Sequence, residues 1–173
     1  MQLKTKDVEE MLRSIKVLIV EDEAYMRKVI RTLLLSIGVK TIYEAPNGPI
    51  GLDTTRTVFP DVVLLDWEMP GMNGGDFMRI VRSPGTFPLP SVPIIMLTGK
   101  AERSCVIDAV QLGVHEYLIK PVSSQALLAR IVSVLMKPRP MVKVGDYYGP
   151  EPRKMSTYKP ELDPGLSDVF MLN

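Results

Sequence analysis

An α/β fold with a doubly wound parallel sheet is the class this sequence predicts, and three observations predict it. Four short apolar runs, Lys16-Val17-Leu18-Ile19-Val20, Val62-Val63-Leu64-Leu65, Pro93-Ile94-Ile95-Met96-Leu97 and Tyr117-Leu118-Ile119, lack the polar alternation of a half-exposed strand. That is how strands buried on both faces read. Helical stripes separate the runs, which is the alternation expected of parallel strands with crossover helices. Each run also ends on a reactive group: Glu21-Asp22, Asp66, Thr98 and Lys120 respectively. In open α/β sheets ligands gather at the carboxyl ends of the strands.

Taken in order, Asp7-Val8-Glu9-Glu10 reads as an N-cap with a capping-box glutamate, predicting a short helix over 7–14. After the first strand, Met26, Val29, Ile30, Leu33, Leu34 and Ile37 make an apolar stripe over 25–37 that Gly38 ends. Thr41-Ile42-Tyr43-Glu44-Ala45 is the second strand, and a helix over about 49–58 is weakly signalled because Gly48, Pro49 and Gly51 crowd its start. Phe59-Pro60 and Pro70-Gly71 bound the strand that ends at Asp66. A third helix over 76–82 is followed by the proline-rich loop Ser83-Pro84-Gly85-Thr86-Phe87-Pro88-Leu89-Pro90. The fourth helix, 102–112, is capped by Gly113, and the fifth opens at Ser123 or Ser124 and runs to about Lys137, where Pro138 stops it.

If the strands are parallel, their ends bring three carboxylates, a hydroxyl and an ammonium to one rim. Glu21, Asp22 and Asp66 at close quarters repel, so either one stays protonated or a divalent cation settles among them. Hard oxygen ligands suit magnesium, which commonly binds through one or two carboxylates plus a phosphate. Lys120 would then neutralise a phosphoryl group, the Thr98 hydroxyl would hydrogen-bond one of its oxygens, and Asp66 would be the nucleophile that accepts it. Each residue alone has a plainer reading: an N-cap for Asp22 or Thr98, a surface lysine for Lys120, core packing for Tyr117. It is their convergence at four strand ends that argues for a site.

In these motifs the chain resembles the receiver domain of two-component response regulators, in plan the stand-alone chemotaxis type. The segments that carry the resemblance are Val17 to Asp22, Pro60 to Gly74, Ile94 to Gly99 and Tyr117 to Pro121, in the family's order and spacing, and it spans roughly residues 15–137. It implies a flavodoxin-like five-stranded parallel sheet of order 2-1-3-4-5 with five helices. It also implies that Asp66 is the phosphoacceptor, Asp22 a metal ligand beside Glu21, and Thr98 and Tyr117 the switch pair. Lys120 is then the catalytic lysine, the Glu68 backbone carbonyl a metal ligand, and the Lys120-Pro121 bond cis. On phosphorylation Thr98 would move toward the phosphoryl group and Tyr117 would turn inward. Two residues depart from the commonest pattern: Glu68, two after Asp66, and Lys100, two after Thr98, which are expected to pair across the mouth of the pocket.

The implied protein is a single-domain response regulator of a two-component system, phosphorylated by a sensor histidine kinase or histidine phosphotransferase, dependent on magnesium, and signalling by binding an unknown downstream protein. Its enzymic contribution is limited to its own phosphorylation and dephosphorylation. A phosphorelay intermediate, a scaffold that is never phosphorylated, and, from the acid-x-acid spacing of Asp66 and Glu68, a haloacid dehalogenase-like phosphatase are the alternatives. The net charge of +1 gives no argument for nucleic acid, the apolar runs are too short to span a membrane, and the lone Cys105 forms no internal disulfide, so a cytoplasmic protein is expected.

Around the receiver region the division expected is a helical lead-in over 1–14 and a proline- and tyrosine-rich tail or arm over 138–173. The tail holds six of the fifteen prolines, too few core-forming residues for a second domain, and thus no DNA-binding or catalytic output unit. It is either a solvated tail or an arm anchored by Tyr147, Tyr148 and Val169-Phe170-Met171-Leu172. Such an arm would fold over its own receiver, or reach a second copy in a homodimer, by the face of the fourth helix, fifth strand and fifth helix. His115 is expected to be a surface or satisfied residue with no part in phosphotransfer.

Overall fold

The computed structural model describes residues 4–100 and 102–153. Along the chain run α1 (Thr5–Ser14), β1 (Lys16–Val20), α2 (Ala24–Ser36), β2 (Thr41–Ala45), α3 (Gly48–Val58), β3 (Val62–Asp66), α4 (Gly74–Val81), β4 (Ile94–Thr98), α5 (Arg103–Gln111), β5 (Glu116–Ile119), α6 (Ser124–Met136), β6 (Met141–Val144) and β7 (Tyr147–Pro150). The first five strands form one parallel sheet of order β2-β1-β3-β4-β5, as expected for a flavodoxin-like chain. Among the described residues the helices number six, because the lead-in adds one to the five that flank the sheet.

Alternation along buried strands explains why the sheet needs cover on both sides. Leu18, Val20, Val63, Leu65 and Met96 face one core with Leu52, Phe77, Met78, Val81, Val106 and Ala109 of α3, α4 and α5. Val17, Ile19, Val62, Leu64, Ile95 and Leu97 face the other with Leu12, Ile30, Leu34, Leu127, Ile131 and Val134 of α1, α2 and α6. The lead-in helix is therefore part of the second core rather than a free extension.

Helix starts differ from the sequence expectations in instructive ways. Asp7 is not the N-cap of α1: the helix begins two residues earlier, Lys4 occupies the cap position, and no side chain bonds there. The weakly signalled α3 is secured by the Asn47 side chain, which accepts from the Ile50 N–H, with Pro49 in the first turn where its missing donor costs nothing. Helix α4 starts at Gly74 rather than Asp76. Asn73 and Asp76 form a reciprocal capping box at 2.9 and 3.2 Å.

Beyond α6, where the sequence suggested a structureless tail or an arm, residues 141–150 form an antiparallel hairpin that pairs Met141 with Pro150 and Val144 with Tyr147. Gly145, at φ +58°, turns the two-residue loop Gly145-Asp146. The hairpin packs on its own chain. Gly149 and Pro150 are buried, and the Tyr148 carbonyl lies 2.5 Å from where a Cβ on Gly113 would sit. The anchor expected at Val169-Phe170-Met171-Leu172 lies outside the described residues.

Candidate functional site

Register builds the rim. Val20 pairs with Leu65 and Asp66 with Leu97, so Glu21 and Asp22 follow β1 directly beside the Asp66 carboxylate, while the Thr98–Ile119 pair sets Lys120 one residue beyond. Carboxylate oxygens of Glu21, Asp22 and Asp66 all lie within 4.8 Å of one another, a group that could hold a metal ion. The Lys120 ammonium bridges two of them, at 2.9 Å from Glu21 Oε2 and 3.1 Å from Asp66 Oδ1. The Lys120-Pro121 peptide is cis.

Electrostatics follow from this crowding. Asp66 is 2% exposed; burial first, and then the charge of Glu21, push its carboxyl up to about 7 against the opposing pull of Lys120 and the Glu68 N–H, which donates to Oδ1 at 3.2 Å. Burial works against the Lys120 ammonium, but hydrogen bonds and charge from Glu21 and Asp66 outweigh it and hold its pKa above the ordinary lysine value. Three carboxylates facing one ammonium are an incompletely neutralised donor set of the type that hard divalent cations complete.

Thr98 is fully buried, and its hydroxyl accepts from the Lys100 N–H at 3.0 Å and donates to the Lys100 carbonyl at 3.3 Å. Lys100 and Glu68 approach across the mouth, Nζ to Oε1 at 3.9 Å, with 63% and 37% of their side chains exposed. Tyr117 is 5% exposed and packs among the core residues of the α3–α5 face.

Sequence reasoning missed Arg27. From the first turn of α2 its Nη1 donates to the carbonyls of Glu21, at 2.8 Å, and Asp22, at 3.2 Å, fixing the loop that carries both acids. No local signal marks such a residue, because an arginine on a helix surface is ordinarily a solvated charge. Trp67 was also left without a role: its ring lies against Gly74, where an added Cβ would meet ring carbon Cε3 at 2.5 Å, so the start of α4 is seated on the residue next to Asp66.

The response regulator receiver domain family matches residues 17–132. This chain belongs to that family. The receiver is 37% identical over 119 residues to the chemotaxis protein CheY of Pseudomonas aeruginosa, which covers 69% of this chain and 94% of that protein. It is 34% identical, over 69% of this chain and 90% of the relative, to CheY-3 of Vibrio cholerae. It is also 36% identical to a segment making up 7% of the hybrid signal transduction histidine kinase D of Dictyostelium discoideum. The solved structure of Vibrio cholerae chemotaxis protein CheY4 superposes with a TM-score of 0.63 at 28% identity, covering 70% of this chain and 98% of that one. The protein is thus a response regulator of a two-component system, and nothing in these relatives supports a phosphatase or an unphosphorylated scaffold. Among the described residues no helix is long and apolar enough to cross a membrane.

Proposed function

We propose that this receiver takes a phosphoryl group on Asp66 from a phosphohistidine of a sensor histidine kinase or histidine phosphotransferase, in the cytoplasm, and passes the signal on by binding a downstream protein. An Asp66 carboxylate oxygen attacks phosphorus. The O–P bond forms, the P–N bond to the donor imidazole breaks, and the imidazole leaves with that electron pair and takes a proton from solvent. The observation that carries this reading is the bridging Lys120, 3.1 Å from Asp66 and 2.9 Å from Glu21 at the centre of the acidic group.

In this mechanism Lys120 draws Asp66 toward its ionised, nucleophilic form and then faces the charge on the transferred group. Thr98 exchanges its bonds with Lys100 for one to a phosphoryl oxygen. Glu68 and Lys100 flank the path by which water reaches the acyl phosphate. Glu21, Asp22 and Asp66, with the Glu68 backbone carbonyl, would hold magnesium, which supplies positive charge against the phosphoryl oxygens when bound. The conformational response begins at Thr98 and reaches Tyr117 along β4 and β5. The surface of α5, β5 and α6, which carries Thr98's neighbours and Tyr117, is the one we assign to the downstream protein or to a second receiver.

Intact-protein mass spectrometry after incubation with acetyl phosphate and magnesium tests this reading, with Trp67 fluorescence followed in parallel. A gain of one phosphoryl mass that needs magnesium and is lost in Asp66→Asn is the expected result. An unphosphorylated chain under those conditions would refute it and leave a scaffold role.

A further inference from the structure

Strand β5 is only four residues long, and both of its ends are tied by side chains. At one end Lys120 reaches Glu21 and Asp66. At the other, the segments flanking the C-terminal hairpin hold the strand. The guanidinium of Arg139 donates to the His115 carbonyl at 2.6 Å and to the Glu151 carbonyl at 2.7 Å, which joins the two ends of the hairpin to β5. Arg153 pairs with the buried Glu116 carboxylate, which also accepts from Ser133 at 2.9 Å and faces Arg130 at 3.8 Å. Below them Arg82, 7% exposed, donates to the carbonyls of Gly113, at 3.0 Å, and Pro90, at 2.7 Å, and lies 3.1 Å from His115 Nδ1. Tyr117 sits immediately beyond this polar assembly, and Arg130 donates to its carbonyl at 3.2 Å.

We propose that docking of the C-terminal hairpin and phosphorylation of Asp66 are reciprocally coupled through β5, each weakening the other. The proposal rests on the reading of Asp66 as phosphoacceptor. The hairpin is docked in the state in which Lys120 spans Glu21 and unmodified Asp66. A phosphoryl group on Asp66 takes Lys120 as its own partner and ends that arrangement, which moves the carboxyl end of a strand too short to absorb the change within itself. The contacts at its other end are directional and desolvated: an arginine on a strand carbonyl and an arginine on a buried carboxylate. Displacement there loses bonds rather than sliding an apolar surface. Two sites linked through one element bias each other by the same factor in both directions.

Amide hydrogen exchange of residues 141–150, measured in the full chain before and after acetyl phosphate with magnesium, tests the coupling, with intact mass reporting modification in the same samples. Exchange in the hairpin is expected to quicken about fivefold or more on phosphorylation. Arg139→Gln, which keeps the hairpin sequence intact, is expected to raise the steady-state extent of phosphorylation under the same conditions. A phosphorylated sample with unchanged hairpin exchange and an Arg139→Gln variant that phosphorylates as wild type would overturn the coupling while leaving the function of Asp66 intact. A sample that takes no phosphoryl mass would overturn both.

Discussion

The Asp66 carboxyl is held near its point of ionisation by burial and by Glu21, and this has a measurable cost. A carboxyl at about 7 in the fold and 3.8 in the unfolded chain binds its proton more tightly when folded. Its contribution is therefore favourable at low pH and is lost as pH rises toward and through 7. Metal-free Asp66→Asn should accordingly be more stable than wild type at pH 8, by on the order of 2 kcal/mol, and the gap should close toward pH 4, as read by urea denaturation. The Glu68–Lys100 pair is mostly solvated, so its influence on the phosphoryl group is bounded. Replacing both by glutamine is expected to shorten the lifetime of phospho-Asp66 by about two- to fivefold, in keeping with an exposed pair worth under about 1 kcal/mol, and an unaltered autodephosphorylation rate would remove the pair from the chemistry. The strand-end residues were legible in the sequence because type and spacing alone select Asp22, Asp66, Thr98 and Lys120. Arg27 was not, because its role depends on what lies across space from it.

At the scale of elements, the five strands of the sheet were readable as apolar runs, whereas β6 and β7 were not. Met141-Val142-Lys143-Val144 and Tyr147-Tyr148-Gly149-Pro150 are short, lie among prolines and carry little apolar periodicity. The dipeptide Gly145-Asp146 between them was the available signal, since glycine supplies the positive φ that a two-residue hairpin loop requires. Docking makes its own demand on Gly113, which adopts φ +90° and has the Tyr148 carbonyl and Gly149 Cα in the space a side chain would fill. Gly113→Ala is expected to cost about 1–3 kcal/mol and to raise the protease sensitivity of the 141–150 segment more than that of the sheet. Equal sensitivity of both would mean the hairpin contributes nothing separate. The proline-rich loop before β4 was recognised as a loop, but not as an anchored one: Phe87 is 4% exposed, with the Arg56 guanidinium 4.9 Å over its ring.

For the molecule as a whole, His115 adds to the acid sensitivity of the fold from a position away from the rim. Its Nδ1 faces two donors, the Ile94 N–H at 3.3 Å and the Arg82 guanidinium at 3.1 Å, so this nitrogen accepts and the ring is neutral. Burial, and then the charges of Arg82 and Arg139, lower its pKa to about 3, against 6.5 in the unfolded chain. The unfolded chain thus takes a proton the fold refuses. Its contribution is full above about pH 6.5 and is lost as pH drops toward 3, a slope approaching 1.4 kcal/mol per pH unit that runs opposite to that of Asp66. In the Asp66→Asn background, where the opposing slope is absent, His115→Gln, whose amide carbonyl can still accept, should flatten that limb between pH 4 and 6, and an unchanged slope would assign the acid sensitivity elsewhere. The order of the chain adds a consequence in time. Residues 17–132 contain the whole receiver match, and Arg139 and Arg153 come after it. At a synthesis rate of about 5–20 residues per second, roughly one to four seconds pass between completion of α6 and the emergence of Arg153. During that interval the nascent sheet carries His115 and Glu116 without Arg139 and Arg153, so the end of β5 away from Lys120 is the last part of the fold to be tied.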